Sequence, residues 1–141
     1  MKSVTEPATP AEMSERVVAL LRSKAFATIA TLMPDGAPHA TETWIDTDGT
    51  HVLLNTVVGY QKLRNIERDG RVALVVSNPD DPARHVAIRG QVTSTSGEGA
   101  KEHIESLSAR YFGTPYPFHH LGQRIIVRIA PTRIIDSLER R

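Results

Sequence analysis

The stretch from Asn55 to Lys62 (NTVVGYQK) combines residue types that can bind a phosphate group. An apolar segment ends there in Asn55 and Thr56, Gly59 allows a turn, and a basic helix is predicted to follow. The first turn of a helix carries unpaired N–H groups and the positive end of the helix dipole, which together suit an anion. Thr56 and Gln61 would add neutral donors, and Lys62 a positive charge. The alternative is a solvated basic surface helix without a ligand.

A second candidate stretch is Thr41-Glu42-Thr43-Trp44, inside a segment that is otherwise typical of a core strand. Strand alternation places Thr41 and Thr43 on one face and Glu42 and Trp44 on the other. Hydroxyls and backbone groups on such a strand could accept the polar edge of a planar ring system. Alternatively, Trp44 belongs to the core or contacts a partner subunit, and the threonines are ordinary strand formers.

Residues 111–120 (YFGTPYPFHH) hold four of the seven aromatic residues in an irregular, proline-containing segment. Such a segment could form a rigid wall over a planar ligand, anchor a partner subunit, or close one end of a barrel. Tyr116, His119 and His120 are candidate proton donors. Although the two histidines are adjacent, no HExxH-type spacing supports them, so a metal site is not predicted.

The elements that must position these residues can be read from turns and periodicity. Thr9, Pro10 and Glu12 form a capping pattern that predicts a helix over residues 10–24. A second helix is predicted over residues 60–69, ended by Gly70, and Ser96 is predicted to cap a third. Strands are predicted at 25–33, 37–46, 51–56, 71–78, 85–95, 124–130 and 134–138, the last two separated by Pro131. Short hairpins and dominant strands favour an antiparallel barrel, closed or split.

Length and composition narrow the class of protein. A chain of 141 residues is predicted to form one domain over residues 10–141, after a flexible tail at 1–9. The sequence has no cysteine, which excludes disulfides, thiolate metal sites and cysteine nucleophiles, and fits a reducing compartment. A net charge of +1 gives no field for nucleic acid, and no apolar run has the length of a membrane span. A cytoplasmic protein is therefore expected.

Several segments resemble the pyridoxamine-phosphate-oxidase-like superfamily of proteins that bind FMN or deazaflavin. Within it, the likeness is greater to the deazaflavin (coenzyme F-420)-dependent reductases of actinobacteria. The resemblance implies a mainly β fold, a six- to seven-stranded antiparallel split barrel of the FMN-binding type. It covers most of the chain, through AFATIATLMPDGAPHATETWID, HVLLNTVVGYQKLRNIERDGRVAL, HVAIRGQV, ARYFGTPYPF and IIVRIAPTRI.

The resemblance also implies a cofactor site. Gln61 and Lys62 stand where the oxidases have an Arg-Lys pair that holds the cofactor phosphate, and glutamine at the first position favours a deazaflavin over FMN. His85 stands where the oxidases carry a glutamine that contacts the flavin. The C-terminal arginine and histidine motif of true pyridoxamine-phosphate oxidases is not recognisable, which argues against vitamin B6 oxidation. The cofactor-binding residues implied are Thr41, Glu42, Thr43, Trp44, Asn55, Thr56, Tyr60, Gln61, Lys62 and His85.

The function implied is hydride transfer from reduced coenzyme F-420 to an unsaturated small molecule. By the same resemblance the protein is a homodimer with two cofactors at the subunit interface, where Tyr116–His120 would reach the cofactor of the partner. Two alternatives stay open, an FMN-dependent oxidase or reductase of the same fold, and a carrier that binds the cofactor without turnover.

Overall fold

The computed structural model describes residues 9–139, which form one seven-stranded antiparallel sheet with three helices packed on it. Most of the predicted tail at 1–9 lies outside the described residues, so the boundary between tail and domain stays a prediction. The elements are α1 (Glu15–Leu21), β1 (Phe26–Leu32), β2 (Pro38–Thr43), β3 (Asp46–Thr47), β4 (Val52–Val57), α2 (Gln61–Arg68), β5 (Arg71–Asn78), β6 (Asp81–Ser96), α3 (Ala100–Tyr111) and β7 (Arg124–Asp136), with a 3-10 turn at His119–Leu121 before β7.

The sheet curls because its two edges are joined by a very short connection. Its strand order is β2-β1-β5-β6-β7-β4-β3, so β2 and β3 are the two edge strands. Only Trp44 and Ile45 separate them in sequence. Three peptide units span at most about 11 Å, so the ends of these two edge strands must lie close together. The result is a half-barrel that is open along one side.

The concave face of the sheet holds the core. Long aliphatic side chains from alternate strand positions are buried there, because a strand that is covered on one face turns every second residue inward. Helices α1 and α2 cover the core with Leu21 and Ile66, which are also fully buried. The strand side chains that contribute most are Ile29, Leu54, Leu74, Ile88 and Ile129.

Strand β4 differs from the others because all six of its residues are buried. It is hydrogen-bonded between β3 and β7, and α3 packs against it and against β7. Burial on both faces leaves no solvent for polar side chains, so Asn55 must find partners within the protein. It finds them on α3 and β7.

The first and third helices start later than the sequence predicts. Helix α1 begins at Glu15, because the hydroxyl of Ser14 accepts the N–H of Val17, and the backbone of Ala11 is instead bonded to the carbonyl of Pro131. That bond to β7 keeps the Thr9–Glu12 pattern out of a helix. Similarly, Ser96 does not cap α3 directly: its hydroxyl accepts the N–H of Glu98 in the preceding turn.

The predicted break at Pro131 is wrong, because β7 runs unbroken through it. Pro131 lies opposite Gly90 where the β6–β7 register shifts, and a proline is tolerated at such an irregularity since it has no N–H to pair. Gly90 is required there: a Cβ would lie 2.5 Å from the side chain of Ile129 and 2.9 Å from the carbonyl oxygen of Ala130.

Candidate functional site

A cavity of about 450 Å³ opens at the gap between the two sheet edges. Strands β1, β2 and β4, the connection at Trp44, helix α3 and the segment before β7 all contribute to its wall. The short β2–β3 connection therefore brings the two sheet edges together and also supplies Trp44 to the cavity wall. The cavity is lined by Ala25–Thr28, Glu42–Trp44, Asn55, Thr56, Tyr60, Lys62, Ile104, Tyr111, Phe112, Tyr116, Phe118, Leu121 and Arg124.

Two cations, Lys62 and Arg124, line this cavity, and we call them the cavity cations. Lys62 is only 8% exposed. Neither residue has a carboxylate within ion-pair distance among residues 9–139. The carboxylate of Glu42 also lines the cavity and pairs with neither of them. Since buried charges are normally paired, an anionic ligand is the natural complement to this arrangement.

Burial has a measurable consequence for Lys62. Removal from water, reinforced by the nearby charge of Arg124, lowers the pKa of the Lys62 ammonium to about 8. Burial likewise lowers the pKa of Arg124. The pocket therefore holds positive charge at a cost to the folded protein, and a bound anion would remove that cost.

Helix α2 adds neutral donors beside Lys62. Its N-cap residue, Tyr60, makes no side-chain capping bond, so the N–H groups of the first turn are available. The hydroxyl of Thr56, a residue that is 2% exposed, lines the cavity and has no hydrogen-bond partner within the described part of the chain. A buried hydroxyl, a helix N-terminus and an ammonium group together form a donor set that suits a phosphate.

A cluster of aromatic rings forms the opposite wall. The ring of Trp44 stacks on Tyr111 with centroids 4.9 Å apart and planes 3° from parallel. Phe112 and Tyr116 meet the same indole edge-on at 4.8 and 6.2 Å. The Tyr111 hydroxyl is fixed to the barrel, since it donates to the carbonyl of Ala25 and accepts the N–H of Ile45. This wall is aromatic and is anchored at Tyr111, which suits contact with a planar ring system.

The segment before β7 is tied to the rest of the molecule at two points. The backbone N–H of Tyr116 donates to one carboxylate oxygen of Glu105 on α3, and His119 contacts the other. The Tyr116 hydroxyl accepts a hydrogen bond from Arg124 at 3.2 Å, and the guanidinium lies 5.2 Å from the centre of the same ring. Tyr116 is therefore held against a cavity cation.

Behind the cavity, Asn55 connects the site to a buried ionic cluster. Its amide nitrogen lies 2.9 Å from the Ala100 carbonyl and 3.1 Å from Nδ1 of His103. Its oxygen accepts from Nε of Arg124 at 2.7 Å. Nε2 of His103 in turn lies 3.0 Å from the carboxylate of Asp46.

Arg110 completes that cluster, which we call the Asp46 cluster (Asp46, His103 and Arg110). Its guanidinium donates to Asp46 at 2.8 Å and to the Ile45 carbonyl at 2.8 Å. Although burial raises the pKa of Asp46, hydrogen bonds from His103 and Arg110 outweigh it and bring that pKa to about 2. Asp46 is therefore ionised at neutral pH.

Most of the residues singled out from the sequence line this one cavity. Its wall includes Glu42, Thr43, Trp44, Asn55, Thr56, Tyr60, Lys62 and Tyr116. The expected alternation fails at Trp44, because β2 ends at Thr43 and the chain then turns toward β3. Glu42, Thr43 and Trp44 consequently contribute to the same wall instead of to two faces.

Five of the predicted residues lie outside the wall. Thr41 is partly buried on β2 and its hydroxyl has no partner in the described part of the chain. The Gln61 side chain is held by Asn65 and Arg64 on its own helix. His85 is on β6, opposite Ser77, two strands away from Phe26. His119 and His120 are exposed on the 3-10 turn, and no cluster of potential metal ligands occurs within residues 9–139.

Sequence reasoning missed Arg124 and His103. Arg124 opens β7 directly after the irregular aromatic segment, a position where a charged residue at the start of a strand could have been noticed. His103 lies near the start of α3, 48 residues from Asn55 and 57 from Asp46, so no local pattern connects them.

None of the helices within the described ranges is long and apolar enough to cross a membrane. The cytoplasmic location stays a prediction of the sequence.

Known proteins of similar sequence and fold include reductases that use coenzyme F-420. The chain is 27% identical over 133 residues to an F-420H2-dependent biliverdin reductase of Mycobacterium tuberculosis, covering 93% of each chain. A solved structure of an F-420 reductase superposes with a TM-score of 0.77 at 29% identity, over 87% of this chain and 98% of that one. A conserved hypothetical protein of Mycobacterium tuberculosis gives 0.73 at 26%, over 96% and 91%.

These likenesses confirm the split-barrel prediction and the greater similarity to proteins that use coenzyme F-420. The sequence pattern of pyridoxamine 5'-phosphate oxidase matches residues 13–137, nearly the whole described structure. The half-barrel, with its cavity at the gap between the sheet edges, is thus the fold of that group, and the chain belongs to the pyridoxamine 5'-phosphate oxidase family.

Proposed function

We propose that this protein is an oxidoreductase that binds reduced coenzyme F-420 and transfers a hydride from it to an unsaturated small molecule. Two relatives that match most of the chain carry names of F-420-dependent reductases, which supports this choice of cofactor. Their substrates are their own, and the substrate of this chain is proposed only as a class.

The observation that carries the proposal is the pair of cavity cations. Lys62 and Arg124 lie in a cavity with no carboxylate partner among residues 9–139, next to the open N-terminus of α2 and the unpartnered hydroxyl of Thr56. A phosphate group supplies the missing negative charge and can accept from all of these donors. Both coenzyme F-420 and FMN carry such a group.

The cavity residues would bind and orient, and leave the redox chemistry to the cofactor. When bound, the reduced deazaflavin supplies the hydride. Lys62, Thr56 and the α2 N-terminus would hold the phosphate, and the Glu42–Trp44 segment with Asn55 would hold the ring. The stacked wall of Trp44 and Tyr111 would exclude water from one side of the substrate space. Of the three candidate proton donors, Tyr116 lines the cavity, whereas His119 and His120 do not.

FMN is the second candidate cofactor, because the same phosphate donors would bind it. The Gln61 side chain is engaged with Asn65 and Arg64 at 2.8 and 2.7 Å and does not line the cavity. The preference for the deazaflavin therefore rests on the relatives and on the resemblance, in which glutamine stands where the oxidases have arginine. A carrier that binds either cofactor without turnover is the alternative from another functional class.

The test is a comparison of two cofactors on the purified protein. Small molecules released by denaturation are identified by mass spectrometry, and FMN and coenzyme F-420 are titrated by their fluorescence. Reduced F-420 is then mixed with a panel of enones and quinones, and its reoxidation is followed. We expect tighter binding of F-420 and oxidation that depends on substrate. Binding of FMN alone would overturn the cofactor assignment, and binding without turnover across the panel would support the carrier.

A homodimer is part of the same proposal. On the convex face of the sheet, Phe26, Val75 and Ile135 are 66%, 45% and 43% exposed. The strand register brings them together, since Thr28 pairs with Val75 in β5 and Ala87 pairs with both Val75 and Ile135. Phe26 also lines the cavity, so this apolar patch reaches the edge of the site. Neighbouring apolar residues of this kind are typical of a subunit interface.

A charge in the patch tests the dimer. We expect the wild type to sediment as a dimer in analytical ultracentrifugation, and Phe26→Asp to sediment as a monomer with weakened cofactor binding. Lys101→Asp, on the exposed side of α3, serves as the control for an added acid. A wild type that is monomeric at micromolar concentration would overturn the dimer.

A further inference from the structure

Four side chains form one continuous hydrogen-bonded series that ends at the cavity. Asp46 is 3.0 Å from Nε2 of His103, Nδ1 of His103 is 3.1 Å from the amide nitrogen of Asn55, and the Asn55 oxygen is 2.7 Å from Nε of Arg124. Asp46 and His103 do not line the cavity, and their side chains are only 14% and 11% exposed. Any effect of these two residues on a ligand in the cavity must therefore pass through Asn55 and Arg124.

The donors and acceptors of this series fit together in only one way. An ionised carboxylate only accepts, so Nε2 of His103 must carry the proton that it donates to Asp46. In the neutral imidazole, Nδ1 is then an acceptor for one hydrogen of the Asn55 amide. The second hydrogen of that amide donates to the carbonyl of Ala100, which leaves the Asn55 oxygen turned toward Arg124.

This arrangement decides how Arg124 is held. Nε of its guanidinium is used by Asn55 and Nη1 donates to the Tyr116 hydroxyl. A guanidinium has five N–H donors, so three remain for a ligand in the cavity. Because the plane of the group is fixed at Nε, those three are oriented before any ligand arrives.

We infer that His103 is a positioning residue for Arg124: in its neutral Nε2–H form, oriented by Asp46, it fixes the Asn55 amide and thereby directs the guanidinium that receives the anionic group of the ligand. This inference rests on the proposed function, in which that anion is the cofactor phosphate. It adds a residue that touches neither the cavity nor the ligand.

A proton on Nδ1 of His103 undoes the arrangement. The ring would then present an N–H to the N–H of Asn55, and a flipped Asn55 would present its amide nitrogen to the Nε–H of Arg124. Arg110 of α3 already occupies the other oxygen of the Asp46 carboxylate.

The first test reads the tautomer directly and needs no cofactor. In long-range nitrogen–proton correlation NMR of the wild-type protein at pH 7.5, His103 should show a protonated Nε2 and a bare Nδ1. His51→Gln and His103→Gln spectra assign the signals. The Nδ1–H tautomer, or rapid exchange between the two tautomers, would overturn the inference whatever the cavity binds.

The second test compares two replacements of His103 by fluorescence titration with FMN and with coenzyme F-420. Glutamine carries an acceptor and a donor at nearly the spacing of the two ring nitrogens, so His103→Gln should bind within about twofold of wild type. His103→Phe keeps the ring volume but neither bond, and should bind about tenfold more weakly, with circular dichroism and thermal melting as folding checks.

The difference between the two variants separates positioning from simple packing, because only glutamine can replace the hydrogen bonds of His103 to Asp46 and Asn55. Equal affinity of the Phe variant and the wild type, or an equal loss in both variants, would overturn the inference. If neither cofactor binds the wild type, the proposed function fails, while the NMR result still decides the tautomer.

Discussion

Two ionic clusters flank the Asn55 side chain, and they differ in how their charges are balanced. In the Asp46 cluster, the carboxylate is bound by Arg110 at 2.8 Å and by His103 at 3.0 Å. The cavity cations, Lys62 and Arg124, have no such partner among residues 9–139, although Lys62 is more deeply buried than Asp46. The first cluster is complete within one chain. In the proposed function, the anionic group of the ligand completes the second.

The two clusters should therefore make opposite contributions to stability at neutral pH, although both make the protein more stable as the pH rises, each in its own pH range. The pKa of Asp46 falls from 3.8 to about 2 on folding, so its stabilisation is present above pH 4 and is lost as the pH falls toward 2. The pKa of Lys62 falls from 10.5 to about 8, so the protein without ligand gains stability as the pH rises from about 8 to 10.5. Paired charge stabilises the fold at neutral pH, and unpaired charge costs stability there. This difference is the basis on which the cavity cations are assigned to the proposed binding site.

The largest effect is expected when the paired cluster is broken. Asp46→Ala leaves the buried end of Arg110 without its carboxylate, and the free energy of unfolding at pH 7 should fall by about 3 kcal/mol. Urea denaturation followed by circular dichroism measures it. Arg16→Ala, which removes an exposed partner of Asp136, serves as a control and should stay close to wild type. An Asp46→Ala protein as stable as that control would show that the cluster is not a structural pair.

Removal of a charge from the cavity cations should instead raise the free energy of unfolding. Lys62→Met keeps the length of the side chain without its charge, so the protein without ligand should become more stable at pH 7, by up to about 3 kcal/mol. The same variant should bind coenzyme F-420 or FMN about 100-fold more weakly.

One preparation of Lys62→Met gives both measurements. Denaturation without ligand gives the stability, and fluorescence titration with cofactor gives the affinity. Lys101→Met, an exposed lysine on α3, is the matched control and should change neither. Unaltered cofactor affinity in Lys62→Met would remove Lys62 from the phosphate site. A loss of stability would mean that its alkyl packing matters more than its charge.

The sequence predicts well those features that depend on neighbouring residues, such as the bounds of α2 and β5. Helix α2 and strand β5 lie within a residue of their predicted bounds, because Gly59 and Gly70 mark the turns on each side and the valines of β5 alternate. Lys62 is predicted from the same local pattern, a strand end followed by a basic helix. Where a competing long-range contact exists the prediction fails, as for the Thr9–Glu12 pattern, which the bond from Ala11 to β7 holds out of a helix.

The pairing of charges could not be predicted in this way. Arg110 meets Asp46 across 64 positions and Arg124 meets Asn55 across 69, through contacts that exist only once the sheet has curled. From the sequence alone, Lys62, Arg110 and Arg124 are three similar basic residues. His85, implied by the resemblance, lies outside the cavity wall of this single chain.

The pH dependence of cofactor binding tests the charge of Lys62 without a change in its side chain. A bound phosphate favours protonated Lys62, so the pKa of Lys62 rises above about 8 on binding and a proton is taken up between the two values. Cofactor affinity should be steady from pH 7 to 8 and then fall, by at most about tenfold per pH unit. Lys62→Arg stays charged and is expected to remain flat over pH 7–9.5. A flat wild-type curve would contradict the assignment of Lys62 as the titrating cation.

The smallest effect is expected where a cavity cation touches a neutral group. Tyr116→Phe removes the acceptor for Nη1 of Arg124 but keeps the ring that lies 6.2 Å from Trp44. Because Asn55 still holds the guanidinium at Nε, cofactor affinity should fall by only about threefold in fluorescence titration. Asn55→Ala removes the other anchor and should cost more. If Tyr116→Phe were the more damaging of the two, the cation would be oriented from the aromatic wall, and the paired cluster behind Asn55 would serve the fold alone.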